Sequence, residues 1–557
     1  MVEYLILLVF LFMSFLGHGS FISNLIIINN KNLSLTDIIL VGFFSLSFLV
    51  TFIHFFLPIS YQLNIIIHTI GILLFILNIK NLKKYLNKFS IFIFITFSLL
   101  SILFFYEHKP NEDFGFYHLP YIVNFTSEKV IFGLNSLQIS QGYNSMWLNL
   151  HSSFYLFKNE FKHLYILNSI FFISVIFIFI TEIVNNFNKK NSENKLLFLF
   201  SFIFLLFFII KFSRINSYGI DVPGNFFVII SILYFLKLIN SNENRLLFFQ
   251  LFIMSITLAI TIRIMNLPLI MLLLYSLYLV NFNKKILLSK FSLFILLFGT
   301  FYLLQQFIYT GCILIPSNIS CFIKPSWFDP DYLASIKRIL FVNHSYGVYQ
   351  GTLSIKEYHE KFNWVPTWFN RNSTEIVEFI IAFSLPILLL KVFARKNNFM
   401  INEKKMIFSY FVIIFSLIIC SLLWFYNSPV IRMGNHFIML LIFFLLVVIN
   451  FFKVFLDPAY NKKIYVFIFA LSIIFFVNKN VSRINSIEFE KNIWPNFKKV
   501  NYKSEIKNGL NLNLIIAGSD PQTTVCWDIP FICRNSFGDI DIQKSKLGYL
   551  FIYKFKN

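Results

Sequence analysis

Phe89-Ser-Ile-Phe-Ile-Phe-Ile-Thr-Phe-Ser-Leu-Leu-Ser-Ile-Leu-Phe-Phe-Tyr106, followed after four residues by Asn111-Glu-Asp-Phe-Gly-Phe-Tyr-His-Leu-Pro120, is the most informative stretch of this chain. The first part is an uncharged run of the length needed to cross the roughly 30 Å hydrocarbon core of a bilayer. The second part places Glu112, Asp113 and His118 just beyond its end. Carboxylates at the mouth of a membrane helix cost free energy unless they are solvated, paired or bound to a cation, so by default they mark a working site.

The rest of the chain agrees with that reading. Of 557 residues, 57% are hydrophobic and 13% charged, and the mean hydropathy is +0.72. These values lie far outside the range of soluble globular proteins. The fold class expected is an all-α polytopic membrane protein. With 77 phenylalanines in the chain, aromatic stripes read as lipid-facing or core packing rather than as ligand boxes.

A formal net charge of +21 raises the question of nucleic acid, but the cations are not gathered into one basic footprint. They fall in short loops between apolar runs: Lys80, Lys83, Lys84 and Lys88; Lys189, Lys190 and Lys195; Lys284 and Lys285; Arg395 to Lys405; Lys453 with Lys462 and Lys463. Loops rich in Lys and Arg stay cytoplasmic and so fix orientation.

Apolar runs fall at 2–22, 37–57, 60–79, 89–106, 163–184, 196–212, 222–239, 246–261, 266–281, 290–309, 376–393, 406–425, 436–455 and 464–478, so about fourteen transmembrane helices are expected. The first run lacks a small-residue cleavage site and reads as a retained helix. Alternate threading puts every basic loop on the cytoplasmic side. It collects 107–162, 213–221, 310–375 and the tail from 479 on the outer face. Lys479 and Arg483 break the charge rule locally, which a long translocated terminal segment tolerates. The organisation expected is N-terminal helices over 1–88, a transmembrane module over 89–310 with its outer loop at 107–162, an outer loop over 311–375, further helices over 376–478 and an outer tail over 479–557. Within the first loop, Asn144 to Phe157 is too short and too polar to span and is expected to be a helix lying on the membrane surface. Leu512-Asn-Leu-Ile-Ile-Ala517 is strand-like, giving a small α/β-like outer tail.

Four of the five cysteines lie in the outer segments, as local pairs: Cys312 with Cys321, and Cys526 with Cys533. Even pairs at short spacing in an oxidising compartment read as two disulfides, and zinc would favour closer Cys-x2-Cys spacing.

Two acids and two cations stand at outer ends of spans. Asp113 opens the first outer loop, and Asp221 ends Ser213-Arg-Ile-Asn-Ser-Tyr-Gly-Ile-Asp221. Asp221 also has the simpler reading of a helix-capping acid, with Pro223 in the first turn. Arg263 follows Thr261-Ile262, and Arg432 follows Ser428-Pro-Val-Ile431. Arginine suits paired hydrogen bonding to a phosphate at a membrane boundary, or it can snorkel to lipid headgroups.

This order of features, an acid-bearing first outer loop, a second outer-loop acid and arginines at the outer ends of later helices, resembles the GT-C superfamily of integral-membrane glycosyltransferases over about residues 89–310. The similarity is greatest to the aminoarabinose- and mannosyl-transferase-like branch. Tyr117-His-Leu-Pro120, Gly142-Tyr-Asn-Ser-Met-Trp147, Ser217-Tyr-Gly-Ile-Asp221, Gly311-Cys-Ile-Leu-Ile-Pro316 and Cys526-Trp-Asp-Ile-Pro-Phe-Ile-Cys533 also resemble uncharacterised bacterial multi-pass proteins regarded as glycosyltransferase-like. The chain departs from the superfamily in carrying about three extra helices before the acidic loop, and in having Asn111-Glu-Asp113 in place of Asp-x-Asp.

The resemblance implies an enzyme that moves a sugar from a polyprenyl-phosphate donor to an envelope lipid, glycan or protein acceptor, at the periplasmic face of a bacterial inner membrane. Asp113 would be the general base, with Glu112 and His118 as further catalytic candidates, Asp221 as a second-loop acid, and Arg263 and Arg432 on the donor phosphate. A divalent cation, Mg or Mn, would sit on Asp113 and Asp221. Partners would be the lipid-linked donor, the acceptor and membrane lipids, with no nucleic acid. Competing readings are a transporter or flippase of a lipid-linked saccharide, and a polysaccharide polymerase or ligase.

Overall fold

A computed structural model describes the chain except residues 29–31, 107–112, 190–191, 216–217, 242, 339–345, 347–354, 394–403, 450–461, 487–493, 495–496, 498, 508, 517–524 and 556–557. The fold is mostly helical, as a chain immersed in hydrocarbon requires: with no water to bond to, backbone groups must be satisfied within each segment.

Among the described residues, ten helices are long and apolar enough to cross a membrane, from Val2–Ile26 to Lys462–Ile484. That is fewer than the fourteen expected. The other four runs are helical as well, over Tyr61–Leu77, Lys88–Tyr106, Val365–Phe393 and the segment Ile264–Leu279. The first and last of these are short for a full crossing, and Val365–Phe393 begins with polar turns.

The helices Lys162–Phe187, Asp221–Asn240 and Arg245–Ile262 are buried centrally, while Lys290–Thr310 and Lys462–Ile484 leave most of their surface open to lipid. Small residues let the N-terminal helices approach closely, the usual way membrane helices gain packing contact. A Cβ on Gly17 would collide with the backbone of Gly71, and one on Gly19 with the backbone at Ile38 and Gly42. These helices bond to the rest of the body through Tyr4 to Ser101 at 2.6 Å and His68 to the Ser153 carbonyl at 3.0 Å.

The helix expected to lie on the membrane surface is instead buried. It is short, Met146–Ser152, and all seven of its residues are buried. The side-chain amides of this segment find partners inside the fold. Asn149 Nδ2 donates to Thr51 Oγ1 at 3.0 Å and to Gln305 Oε1 at 2.8 Å, while its Oδ1 accepts from Tyr121 Oη at 2.7 Å. Asn144 Nδ2 donates to the Tyr302 carbonyl at 3.0 Å. A satisfied amide can be buried at little cost, so polarity did not keep this segment at the surface.

The tail is built from strands in its described part. β1 (Tyr502–Lys507) and β2 (Leu510–Ile515) pair antiparallel, β3 (Cys533–Arg534) joins β2 in parallel, and β4 (Ile540–Lys544) pairs antiparallel with β5 (Leu550–Lys554). The expected strand at 512–517 falls largely on β2. The tail and the outer loops meet on one face. Phe132 N donates to the Leu550 carbonyl at 2.9 Å, Ile552 N donates to the Phe132 carbonyl at 2.8 Å, and Lys554 Nζ lies 3.1 Å from Asp329 Oδ2.

Both expected disulfides are present, Cys312–Cys321 and Cys526–Cys533, with Cys420 a buried free thiol. Non-reduced peptide mapping should recover these two links and leave Cys420 unpaired. Opening either loop by a paired Cys→Ser change should cost about 2–3 kcal/mol of local stability in the chain-entropy picture, read as earlier unfolding of the segment in hydrogen exchange. A cross-paired pattern would overturn the assignment.

Candidate functional site

The four charged residues expected at the outer ends of the spans converge. Asp113 caps a single π-helical turn, Phe114–His118, and its carbonyl accepts from the amides of Tyr117 at 3.0 Å and His118 at 3.3 Å. Asp221 is the first residue of the helix Asp221–Asn240, where the positive end of the helix dipole favours a carboxylate. Arg263 stands at the C-terminal cap of Arg245–Ile262 in extended conformation, and its aliphatic stem lies over Gly224, where a Cβ would stand 3.1 Å from Arg263 Cδ. Arg432 is the second residue of Ile431–Val448.

The contacts form a chain of alternating sign. Arg263 Nη1 lies 3.0 Å from Asp221 Oδ1, Arg432 Nε 3.0 Å from Asp221 Oδ2, and Arg432 Nη2 donates to Asp113 Oδ2 at 2.6 Å. The Arg432 Nε contact is ionic, since its N–H is not directed at the carboxylate well enough to be a hydrogen bond. The group is neutral as a whole and graded in exposure. The side chains of Arg263 and Asp221 are 6% and 9% exposed, against 36% and 32% for Arg432 and Asp113. One end is thus embedded and the other opens outward.

The nearest supports are amides that the sequence did not single out. Asn225 and Asn435 both donate to the Arg432 carbonyl, at 2.9 and 3.3 Å. Asn225 lies four residues after Asp221, one helical turn on, so the i, i+4 spacing could have exposed it. Tyr117 lies within electrostatic reach of all four charges, and burial together with the Asp113 and Asp221 carboxylates raises its hydroxyl well above the ordinary range.

His118 is in the same turn but buried, and no hydrogen-bond partner reaches its Nε2 among the described residues. Burial pushes its pKa down to about 4, outweighing the opposing pull of Asp113 and Asp221. It is therefore a neutral imidazole at neutral pH. Glu112 lies outside the described residues. The Arg432 guanidinium stands between the carboxylates of Asp113 and Asp221, so this arrangement does not fit a divalent cation shared by the two acids.

A second polar cluster occupies the opposite ends of the central helices. Lys237 Nζ lies 2.5 Å from Glu182 Oε1, Tyr234 Oη donates to Asp37 Oδ1 at 2.7 Å, and Asp37 completes a capping box with Ser34. Glu182, Lys237, Asp37 and Ser34 line a cavity of about 530 Å³ together with Asn186, Asn240 and Phe248. The helix Asp221–Asn240 thus carries a member of each cluster.

Residues 1–439 match the family described as Domain of unknown function (DUF8201). No curated protein and no solved structure matches the chain.

Two measurements check the site. Asp221→Asn leaves the buried Arg263 without its carboxylate and should cost about 3–5 kcal/mol, whereas Asp113→Asn, at the open end, should cost no more than about 1 kcal/mol. Denaturant unfolding in detergent should show this order. Because His118 resists protonation only in the folded state, its contribution should be fully present above pH 6.5 and fade as pH falls toward 4. The stability difference between wild type and His118→Gln should change across that window and stay level above it.

Proposed function

The chain belongs to the DUF8201 family, and we propose that its outer-face ionic network is the active site of a membrane glycosyltransferase of the GT-C kind. The observation that carries the reading is that one guanidinium, Arg432, is shared by two carboxylates at the open end of a buried charge network. A donor phosphodiester is a monoanion whose two free oxygens are spaced for paired hydrogen bonds to that guanidinium, and a second negative charge develops on it as the sugar leaves. Binding would draw Arg432 off Asp113 while Asp221 keeps hold of its Nε, and Arg263 would lie behind as a second positive charge.

The step that follows is a single displacement. Asp113, released from Arg432, takes the proton from the acceptor hydroxyl. The acceptor oxygen attacks the anomeric carbon, and the bond from that carbon to the phosphate oxygen breaks with its electron pair passing to the phosphate. The configuration inverts, and polyprenyl phosphate leaves with its charge offset by the arginines. General-base assistance of this kind contributes about a hundredfold or more. The neutral His118 would line the site as a hydrogen-bonding group rather than as a charge. Basic loops on the opposite side and disulfides on this one support a site facing the periplasm of a bacterial inner membrane, with up to fourteen crossings.

A second reading draws on the inner-face cavity. Buried ion pairs at both ends of Asp221–Asn240 also suit a transporter of a lipid-linked saccharide that opens alternately to the two sides.

Transfer from a polyprenyl-phosphate sugar mixture in proteoliposomes separates the two. Asp113→Asn should lower turnover at least a hundredfold while donor binding is kept or tightened, since Arg432 is freed of its competing carboxylate, and Arg432→Ala should weaken donor binding at least tenfold. Full transfer by Asp113→Asn would remove Asp113 from the role. Substrate flux without transfer in the wild type would select the transporter.

A further inference from the structure

We propose that Trp527, carried by the disulfide-closed loop of the tail, is a positioning residue that holds Asp113 against Arg432. Its significance rests on the reading of Asp113 as the working acid; the contact itself does not.

The turn Phe114–His118 that follows Asp113 is a single π-helical turn with few bonds of its own, so its place is set by what packs on it. On one side, Phe114 stacks on Tyr165 with ring centroids 4.9 Å apart. On the other lies the tail. The Trp527 indole fills the space where a Cβ of Gly115 would stand, and Trp527 N donates to the Gly115 carbonyl at 3.3 Å. Phe497 bridges the two, 5.8 Å from Phe114 and 6.2 Å from Trp527 between ring centroids. Glycine at 115 is what admits the indole so close to the backbone.

The way the tail presents Trp527 is unusual. The residue has φ of +46°, a left-handed conformation that is a genuine outlier for a bulky side chain. It persists where the surroundings over-determine it, and such outliers cluster at functional sites. Here the surroundings are the Cys526–Cys533 link and the Gly115 contact. The indole is nonetheless not what docks the tail. Phe551 stacks on Phe132 at 4.4 Å, backbone bonds join Phe132 to Leu550 and Ile552, and Lys129 Nζ donates to the Leu547 carbonyl at 3.0 Å. Loss of the indole leaves all of these in place, and its effect falls on the turn and on the carboxylate at its start.

The test uses the full-length protein in lipid nanodiscs and the rate at which phenylglyoxal modifies Arg432, read by mass spectrometry. In the wild type Asp113 shields that guanidinium. Trp527→Ala and Gly115→Ala should each speed its modification at least threefold, toward the rate of Asp113→Asn, while Trp527→Phe stays near wild type. Buried Arg263 should stay unreactive throughout. Hydrogen exchange at the Phe132 and Ile552 amides should be unchanged, showing the tail still docked. An unchanged Arg432 rate in both variants overturns the proposal. So does loss of protection at those two amides, which would make Trp527 a docking residue. Since no arm uses sugar transfer, a wild type without transferase activity would sink the role of Asp113 as base and leave the positioning result standing.

Discussion

A charge buried in an apolar body must be compensated where it lies, and the architecture of the outer face follows from that requirement. Arg263 and Asp221 are too deeply enclosed for water to solvate them, so each depends on the other. Arg432 extends the pairing to Asp113, and the four residues come from a loop turn, two helix N-terminal turns and one helix C-terminal cap. Fixing the network therefore fixes where the first outer loop and the helices Asp221–Asn240, Arg245–Ile262 and Ile431–Val448 stand relative to one another. The same compensation leaves the group neutral, so an incoming anion gains Arg432 only by taking the place of a carboxylate. Exchange of one anion for another is gentler than charging an empty cavity, and under the proposed function it would link donor binding to release of the acid.

Two buried amides obey the same rule in place of ions. The first outer loop turns inward because Asn144 and Asn149 find acceptors and donors on Thr51, Tyr121, Tyr302 and Gln305. It is covered from outside by the tail, whose strand β5 bonds to Phe132 and whose disulfide-closed loop presses on Gly115. This face is therefore one assembly drawn from distant parts of the chain. At the inner end of Asp221–Asn240, the pairs Glu182–Lys237 and Asp37–Tyr234 hold the other side of the body in the same manner.

The sequence by itself determined where the helices are, which cysteines pair and which charges stand at helix ends. Apolar run length is a local property that hydrocarbon thickness converts directly into helices, and among the described residues each of the fourteen runs falls on helix. The cysteine pairs were legible because each is close in sequence. Asp113, Asp221, Arg263 and Arg432 stood out because charge at the end of an apolar run is expensive and therefore rarely idle. What only the tertiary structure decided is who meets whom. Arg432 and Asp113 are 319 residues apart, and no spacing rule reaches across that distance. The sequence read Met146–Ser152 as lying on the surface because a polar amide looks exposed until its partners are known. It left His118 a catalytic candidate of unstated charge, and burial makes it neutral. It left Gly115 and Trp527 unconnected, because the fit of an indole over a missing side chain exists only once two distant segments are packed together. Local hydrophobicity is written residue by residue, but compensation of charge and complementarity of shape are properties of pairs, and the fold chooses the pairs.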